Sequence, residues 1–371
     1  MKVPFFRYPH VFGHGRAALE EALLKAASAG AYILQGDLAS FEEELAEYCG
    51  VGHAVGVGNA TDGLELNLRA AGVSPGDEVL LPSHTFVATA GAAVACGARP
   101  VFVEIGSDHL MDPDDVAAHV TSRTKAIVPV QLNGRTLDMD RLCAAAARHG
   151  LVIVEDSAQG LGSRFRGRMA GTFGVAGVFS FYPAKVLGAL GDGGAIVTND
   201  AAVADVVRQL RDHGRDPHTG EVKRWGRNSR LDNIQAAVLR AKLKLLDEEI
   251  ATRRRLAHRY HDRLVELRQL VLPPPPDEQM LAAHFDTFQN YEIEAQDRDQ
   301  LRAFLGQRGI GTLLQWGGKA IHQFSALSVD QQLPRTEAIL SRAMMLPMNS
   351  SLTDTEVDYV ADQISAFYAG R

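Results

Sequence analysis

Apolar residues recur along this chain in two alternating rhythms. Short runs rich in β-branched residues predict strands at His53 to Val57, Glu78 to Leu81, Pro100 to Glu104, Ala126 to Val130, Leu151 to Val154, Val178 to Phe181 and Gly194 to Thr198. Between them, helical spacing predicts helices at Thr61 to Ala71, Ala88 to Ala95 and Met139 to His149. An earlier helix is predicted over residues 40–50, where Ser40 and Glu43 read as a capping box, Phe41, Leu45 and Tyr48 share a face, and Gly50 stops it. This alternation predicts an α/β fold, a mainly parallel sheet with helices on both faces, because parallel neighbours need crossover connections.

From Leu231 to Leu267 the pattern becomes one long, charged helical stretch that leads to four prolines, Pro273 to Pro276. Beyond it, Phe288 to Ile293, a helix near Arg298 to Gln307, Gly311 to Leu314 and a terminal helix from Asp354 suggest a smaller α+β unit. The expected division is a large domain over 1–245 and a small one over 246–371, joined by the helix near 231–267.

Composition narrows the function classes. The chain has 371 residues, 46% of them hydrophobic, enough for a large core. Its formal net charge of -7 carries no nucleic-acid footprint, and the one dense basic run, Arg253 to Arg255, reads as a solvated helix face. Cys49, Cys96 and Cys143 are scattered and lack metal-ligand spacing, so neither a metal nor a disulfide is expected. No stretch has the length and apolarity of a membrane span and the amino terminus has no signal-peptide pattern, so a cytoplasmic protein is expected.

Three segments carry candidate chemistry. Val57 to Asp62 is a small-residue turn at a strand-to-helix junction, where free N–H groups can receive a phosphate or Thr61 and Asp62 can simply cap the helix. No G-x-G-x-x-G fingerprint is present there, which disfavours a nicotinamide-dependent dehydrogenase. Glu155 and Asp156 close a β-branched run, and an aspartate so placed can cap a turn or pair with a pyridinium nitrogen. Finally, Ser180 to Lys185 runs from an apolar strand towards the cluster Gly191 to Gly194, a setting in which a desolvated amine could form a Schiff base.

These segments belong to an ordered series: GNATDGLEL (58–66), PSHTFVATA (82–90), VEDSAQGLGS (154–163), FSFYPAKVLGALGDGGAI (179–196) and GRNSRLDNIQAAVL (226–239). Together they resemble the DegT/StrS-type family of sugar aminotransferases over essentially the whole chain. The resemblance implies fold type I, with a three-layer large domain and a smaller α+β carboxyl-terminal domain. It implies pyridoxal 5′-phosphate as cofactor, passing through its pyridoxamine form. Lys185 would carry the cofactor and move the proton, Asp156 would bind its pyridine nitrogen, and Gln159 would donate to its phenolic oxygen. Phe86 would stack on the ring, while Ala60, Thr61 and Ser180 would hold the phosphate. Asn228 would reach the phosphate of the neighbouring subunit, which implies a homodimer with shared sites.

Where many family members carry Tyr-Pro-x-Pro-Leu-His, this chain has Gln315, Trp316, Gly317, Gly318, Lys319, Ala320, Ile321 and His322. Tyr182, Trp316 and His322 are the substrate-side candidates. That segment, with Phe288 to Tyr291, is similar to enzymes that aminate dTDP-4-keto-6-deoxy-D-glucose with L-glutamate, giving the 4-amino-4,6-dideoxy sugar. Lys185 argues against a related dehydratase branch that has histidine in its place. The alternatives are a 3-keto-sugar aminotransferase of the same family and a non-catalytic regulatory protein on this fold.

Overall fold

The computed structural model describes residues 1–276, 283–327 and 329–370. Its strands are β1 (His53–Val57), β2 (Glu78–Pro82), β3 (Arg99–Val103), β4 (Thr124–Ile127), β5 (Val152–Asp156), β6 (Arg164–Phe165), β7 (Arg168–Met169), β8 (Ala176–Ser180) and β9 (Gly194–Thr198). Four more follow: β10 (Leu270–Val271), β11 (His284–Phe285), β12 (Tyr291–Ala295) and β13 (Ala343–Leu346).

Seven strands form the central sheet in the order β1-β9-β8-β5-β4-β2-β3. From β8 through β3 every pairing is parallel, whereas β9 runs antiparallel to both β1 and β8. Six strands therefore deliver their carboxyl ends to one edge, where ligands collect in sheets of this kind. The strands are buried along nearly their whole length because the helices Ala60–Ala70, Val87–Ala95 and Ala201–Leu210 cover one face. Gly177 permits the close packing behind β8, since a Cβ there would lie 2.3 Å from the carbonyl oxygen of Gly171.

A second cluster gathers Leu256, Tyr260, Tyr291, Ile293, Met344, Leu346, Val360 and Ile364 around the three-stranded sheet β10-β12-β13. The predicted helix over 298–307 and the helix start at Asp354 are observed, the latter with a capping box between Thr353 and Glu356.

Four expectations need correction. The helix expected over 40–50 spans Gly36–Cys49, so Ser40 and Glu43 lie inside it rather than capping it. Its first turn is anchored from elsewhere, the Leu38 N–H donating to Asn233 Oδ1 at 2.9 Å. The single helix expected over 231–267 is two, Asn233–Leu243 and Leu246–Leu264, broken at Leu245 with φ −104° and ψ 0°. The basic run is not a solvated face: Arg253 is buried, pairs with Glu249 at 2.8 Å and donates to the carbonyl of Gln289, while Arg255 is exposed. Lastly, Gly311 to Leu314 forms only an isolated bridge, Leu313 to Met345.

Candidate active site

The carboxyl edge of the sheet opens into a cavity of about 510 Å³. Asn59, Ala60 and Thr61 reach it from the end of β1, Thr85 and Phe86 from β2, Val130 from β4, Asp156 from β5, and Ser180, Tyr182 and Lys185 from β8. Neighbouring strand residues point to opposite sides, which separates Glu155 from Asp156. Glu155 turns away and accepts from the N–H groups of Gly171 and Gly174 at 2.8 and 2.9 Å and from Gln131 Nε2 at 2.8 Å, so it organises the loop before β8. Asp156 faces the cavity.

Lys185 lines the cavity wall, and its Nζ makes no hydrogen bond among the described residues. Burial lowers its pKa to about 8, only partly opposed by the charge of Asp156. Asp156 shows the converse. Burial raises its pKa, while Thr89 Oγ1 donates to Oδ2 at 2.7 Å, the Ala158 N–H donates to Oδ1 at 3.1 Å, and Lys185 adds its charge. Thr89 is itself held by Thr85, their hydroxyls 2.7 Å apart. A buried carboxylate whose affinity for protons remains raised despite these donors is a receptor for a further N–H or cation.

At the opposite end, the helix Ala60–Ala70 points its amino terminus at the cavity. Asn59 caps it by accepting from the Asp62 N–H at 2.8 Å, and the N–H groups of Ala60 and Thr61 find no acceptor among the described residues. With the Ser180 hydroxyl beside them, these groups form an anion cradle. Phe86 supplies an exposed ring face, and Ala158 also lines the chamber. A carboxylate seeking an N–H, an amine with no hydrogen-bond acceptor among the described residues, an aromatic face and an anion cradle in one chamber fit a planar, phosphorylated, nitrogen-heterocyclic aldehyde.

Residues 15–365 match the DegT/DnrJ/EryC1/StrS aminotransferase family. The chain belongs to that family. It is 40% identical to a dTDP-3-amino-3,4,6-trideoxy-alpha-D-glucose transaminase of Streptomyces venezuelae, over 98% of this chain and 95% of that one. It is also 38% identical to a protein of Geobacillus stearothermophilus named a pleiotropic regulatory protein, over 99% of both chains. Among solved structures, S. venezuelae DesV in complex with a ketimine intermediate superposes with a TM-score of 0.94 at 39% identity, covering 99% of this chain and 98% of that one.

In this member of the DegT/DnrJ/EryC1/StrS aminotransferase family, the structure gathers Ala60, Thr61, Phe86, Asp156, Gln159, Ser180, Tyr182, Lys185 and Trp316 around one chamber. Trp316 sits in the left-handed region at φ 47°, followed by Gly317 and Gly318 at positive φ, and its ring meets the edge of His84 at 5.3 Å. Gln159, Tyr182, Lys185 and Trp316 are shared with an adjoining cavity of about 600 Å³ that also takes in Phe6, Leu313 and Met348.

Of the three substrate-side candidates, only His322 lies elsewhere. His322 is buried outside the chamber, its Nδ1 2.7 Å from Ser83 Oγ and its Nε2 2.9 Å from Glu337 Oε1. Asn228 is exposed on a loop beside Asp212 and does not line the chamber of its own chain. The structure also adds residues that sequence reading missed. Thr89 lies within PSHTFVATA and holds Asp156, while His109, Asn133 and Glu292 gather near Gln159 from distant segments. Only the polar character of Glu292 and Glu294 in an otherwise strand-like run gave any sign of them.

Proposed function

We propose that the chain transfers an amino group from L-glutamate to a nucleotide-linked keto sugar, with pyridoxal 5′-phosphate bound in the 510 Å³ chamber. The observation that carries this reading is the pairing, in one chamber, of an amine lowered to about pKa 8 with a buried aspartate. Lys185 would carry the cofactor, Asp156 would hold its ring nitrogen, and Gln159 would donate to its phenolic oxygen. Phe86 would cover one ring face, and Ala60, Thr61 and Ser180 would cradle the phosphate. The bound cofactor supplies an electron-withdrawing ring that stabilises negative charge at the carbon being deprotonated.

The chain's own groups do the rest. Lys185, neutral for an appreciable fraction of the time near pH 7 to 8, takes the α-proton of glutamate and later returns a proton to the sugar carbon that receives nitrogen. Asp156, whose ionised form Thr89 and Ala158 favour against its burial, would pair with the ring nitrogen and keep it protonated. Glutamate leaves as 2-oxoglutarate before the sugar enters, so ping-pong kinetics are expected. Tyr182 and Trp316 border the approach, His322 stands outside the chamber between Ser83 and Glu337, and Asn228 serves a second copy in a cytoplasmic homodimer. The large domain would run to residue 245 and the small one from residue 246.

The 40% identical relative is named for a 3-amino sugar, which favours C3 over the C4 position suggested by residues 288–291 and 315–323. NMR of the products from dTDP-linked 3-keto and 4-keto deoxyhexoses, with L-glutamate and pyridoxal phosphate, decides between them. The name of the Geobacillus relative supports a regulatory reading, and Lys185→Ala tests it. Undiminished amino-sugar formation by that variant would sink the catalytic role.

A further inference from the structure

Gln159 lines both cavities, but its amide has two different ends. Oε1 accepts from the Asn133 N–H at 2.9 Å and from Asn290 Nδ2 at 3.1 Å. Nε2 has no acceptor among the described residues, so the open end of the side chain is its donor end. An amide's shape does not tell its oxygen from its nitrogen; its partners do.

Here the assignment traces back to a charge. Glu292, buried on β12, accepts at Oε2 from His109 Nδ1 at 2.9 Å and from Asn133 Nδ2 at 2.9 Å. Burial disfavours a charge on His109, but Glu292 and Glu294 outweigh it and hold the imidazole cationic. Beside that cation Glu292 stays a carboxylate, which can only accept. Asn133 must then give Glu292 its Nδ2 and turn Oδ1 the other way, where it accepts from Asn290 Nδ2 at 2.9 Å. Asn290 in turn presents the same Nδ2 to Gln159, which must answer with oxygen.

We propose that Asn290 and Asn133, anchored on Glu292, are positioning residues that lock Gln159 with its N–H donors facing the chamber. The inference rests on the reading of that chamber as the cofactor site. There the lock gives the phenolic oxygen a donor, whereas a turned amide would set oxygen against oxygen. Residues at the start of the central strand of the small sheet thereby set a polarity at the carboxyl edge of the large one.

The test uses the full-length, pyridoxal-phosphate-loaded protein and the pH midpoint of its visible absorbance. A donor to the phenolic oxygen favours the ionised form, so removing it raises the midpoint. Gln159→Ala is expected to raise it by about one unit, the scale of a hydrogen bond to a charged group. Asn290→Ala is expected to raise it in the same direction, and the double variant no further than Gln159→Ala alone. Asn290→Asp keeps the shape but places an acceptor against Gln159 Oε1 and Asn133 Oδ1, so its shift equals or exceeds that of Asn290→Ala. It also carries the test if Asn290→Ala does not fold. An unmoved midpoint in the folded Asn290 variants, additive shifts, or a milder Asn290→Asp overturns the proposal. A wild-type protein with no visible band, or a band that survives Lys185→Ala, instead overturns the cofactor reading and the donor's role with it.

Discussion

Gly194 and Ala60 approach so closely that a Cβ on the glycine would stand 2.9 Å from the Ala60 backbone nitrogen. The same Cβ would lie 2.8 Å from the carbonyl carbon of Asn59, so both contacts are with backbone that has little freedom to give. Gly194 pairs with Val57 on one side and Ser180 on the other, directly beneath the anion cradle. Gly194→Ala is therefore expected to displace the helix start, weakening pyridoxal phosphate binding at least tenfold, about 1.4 kcal/mol. Fluorescence titration of the cofactor-free variant checks this, and unchanged affinity would remove the amino terminus of that helix from the phosphate site.

Lys185 stores instability in the cofactor-free protein. Its pKa of about 8 lies below the ordinary 10.5, so folding at neutral pH must bury a charge that water would rather keep. Lys185→Met is expected to stabilise the cofactor-free protein at pH 7 by on the order of 1–3 kcal/mol. The sign follows from proton counting. Between about pH 8 and 10.5 the unfolded chain binds more protons at this site than the folded one, so wild type gains stability as pH rises and the gap closes. Denaturant titrations at pH 7 and 10 measure it, and a gap that widens with pH contradicts the assignment.

His109 has the opposite sign. Despite burial, Glu292 and Glu294 raise its pKa to about 9, so its contribution is complete below pH 6.5 and is lost as pH climbs through 9. His109→Leu leaves two buried carboxylates with a partner missing and is expected to cost about 3 kcal/mol at pH 6. The deficit should shrink measurably by pH 9.5 in chemical denaturation. A deficit independent of pH would mean that the ring acts by packing alone.

Thr89 acts on the reaction through Asp156. Removing its hydroxyl in Thr89→Val takes away a donor that favours the ionised carboxylate, so the Asp156 pKa climbs further. The acid limb of the kcat/KM profile is expected to move upward by about one unit. An unmoved limb with lower activity throughout would point to packing in the helix Val87–Ala95 instead.

Local chemistry wrote much of this molecule plainly. Met139–His149 and Gly194–Thr198 begin and end where their spacing predicts, because Gly150 adopts the left-handed conformation after the first and Asp200 caps the helix after the second. The break at Leu245 was illegible since charged residues continue on both sides with neither glycine nor proline to mark it. Asp156 stood at a strand end and Lys185 in the glycine-bounded loop after another, and both could be read there. Asn133, by contrast, becomes meaningful only when Glu292 arrives from 159 residues away. Arg253 misled because a buried arginine and a solvated one look identical until the carbonyls at Phe288 and Gln289 are in place.

The antiparallel pairing of β8 with β9 makes them arms of a hairpin, with Ser180 opposite Gly194 and Lys185 on the connection between them. The consequence concerns the order of events as the chain folds. Closing this hairpin needs only the loop over residues 181–193, whereas Asn290, which completes the contacts that orient Gln159, lies more than a hundred residues further on. The lysine is thus expected to acquire its surroundings on the β8–β9 side early, and the amide opposite it to acquire its direction late. Pulse-labelled hydrogen exchange would show protection at Phe179 to Phe181 preceding that at Tyr291 to Ala295.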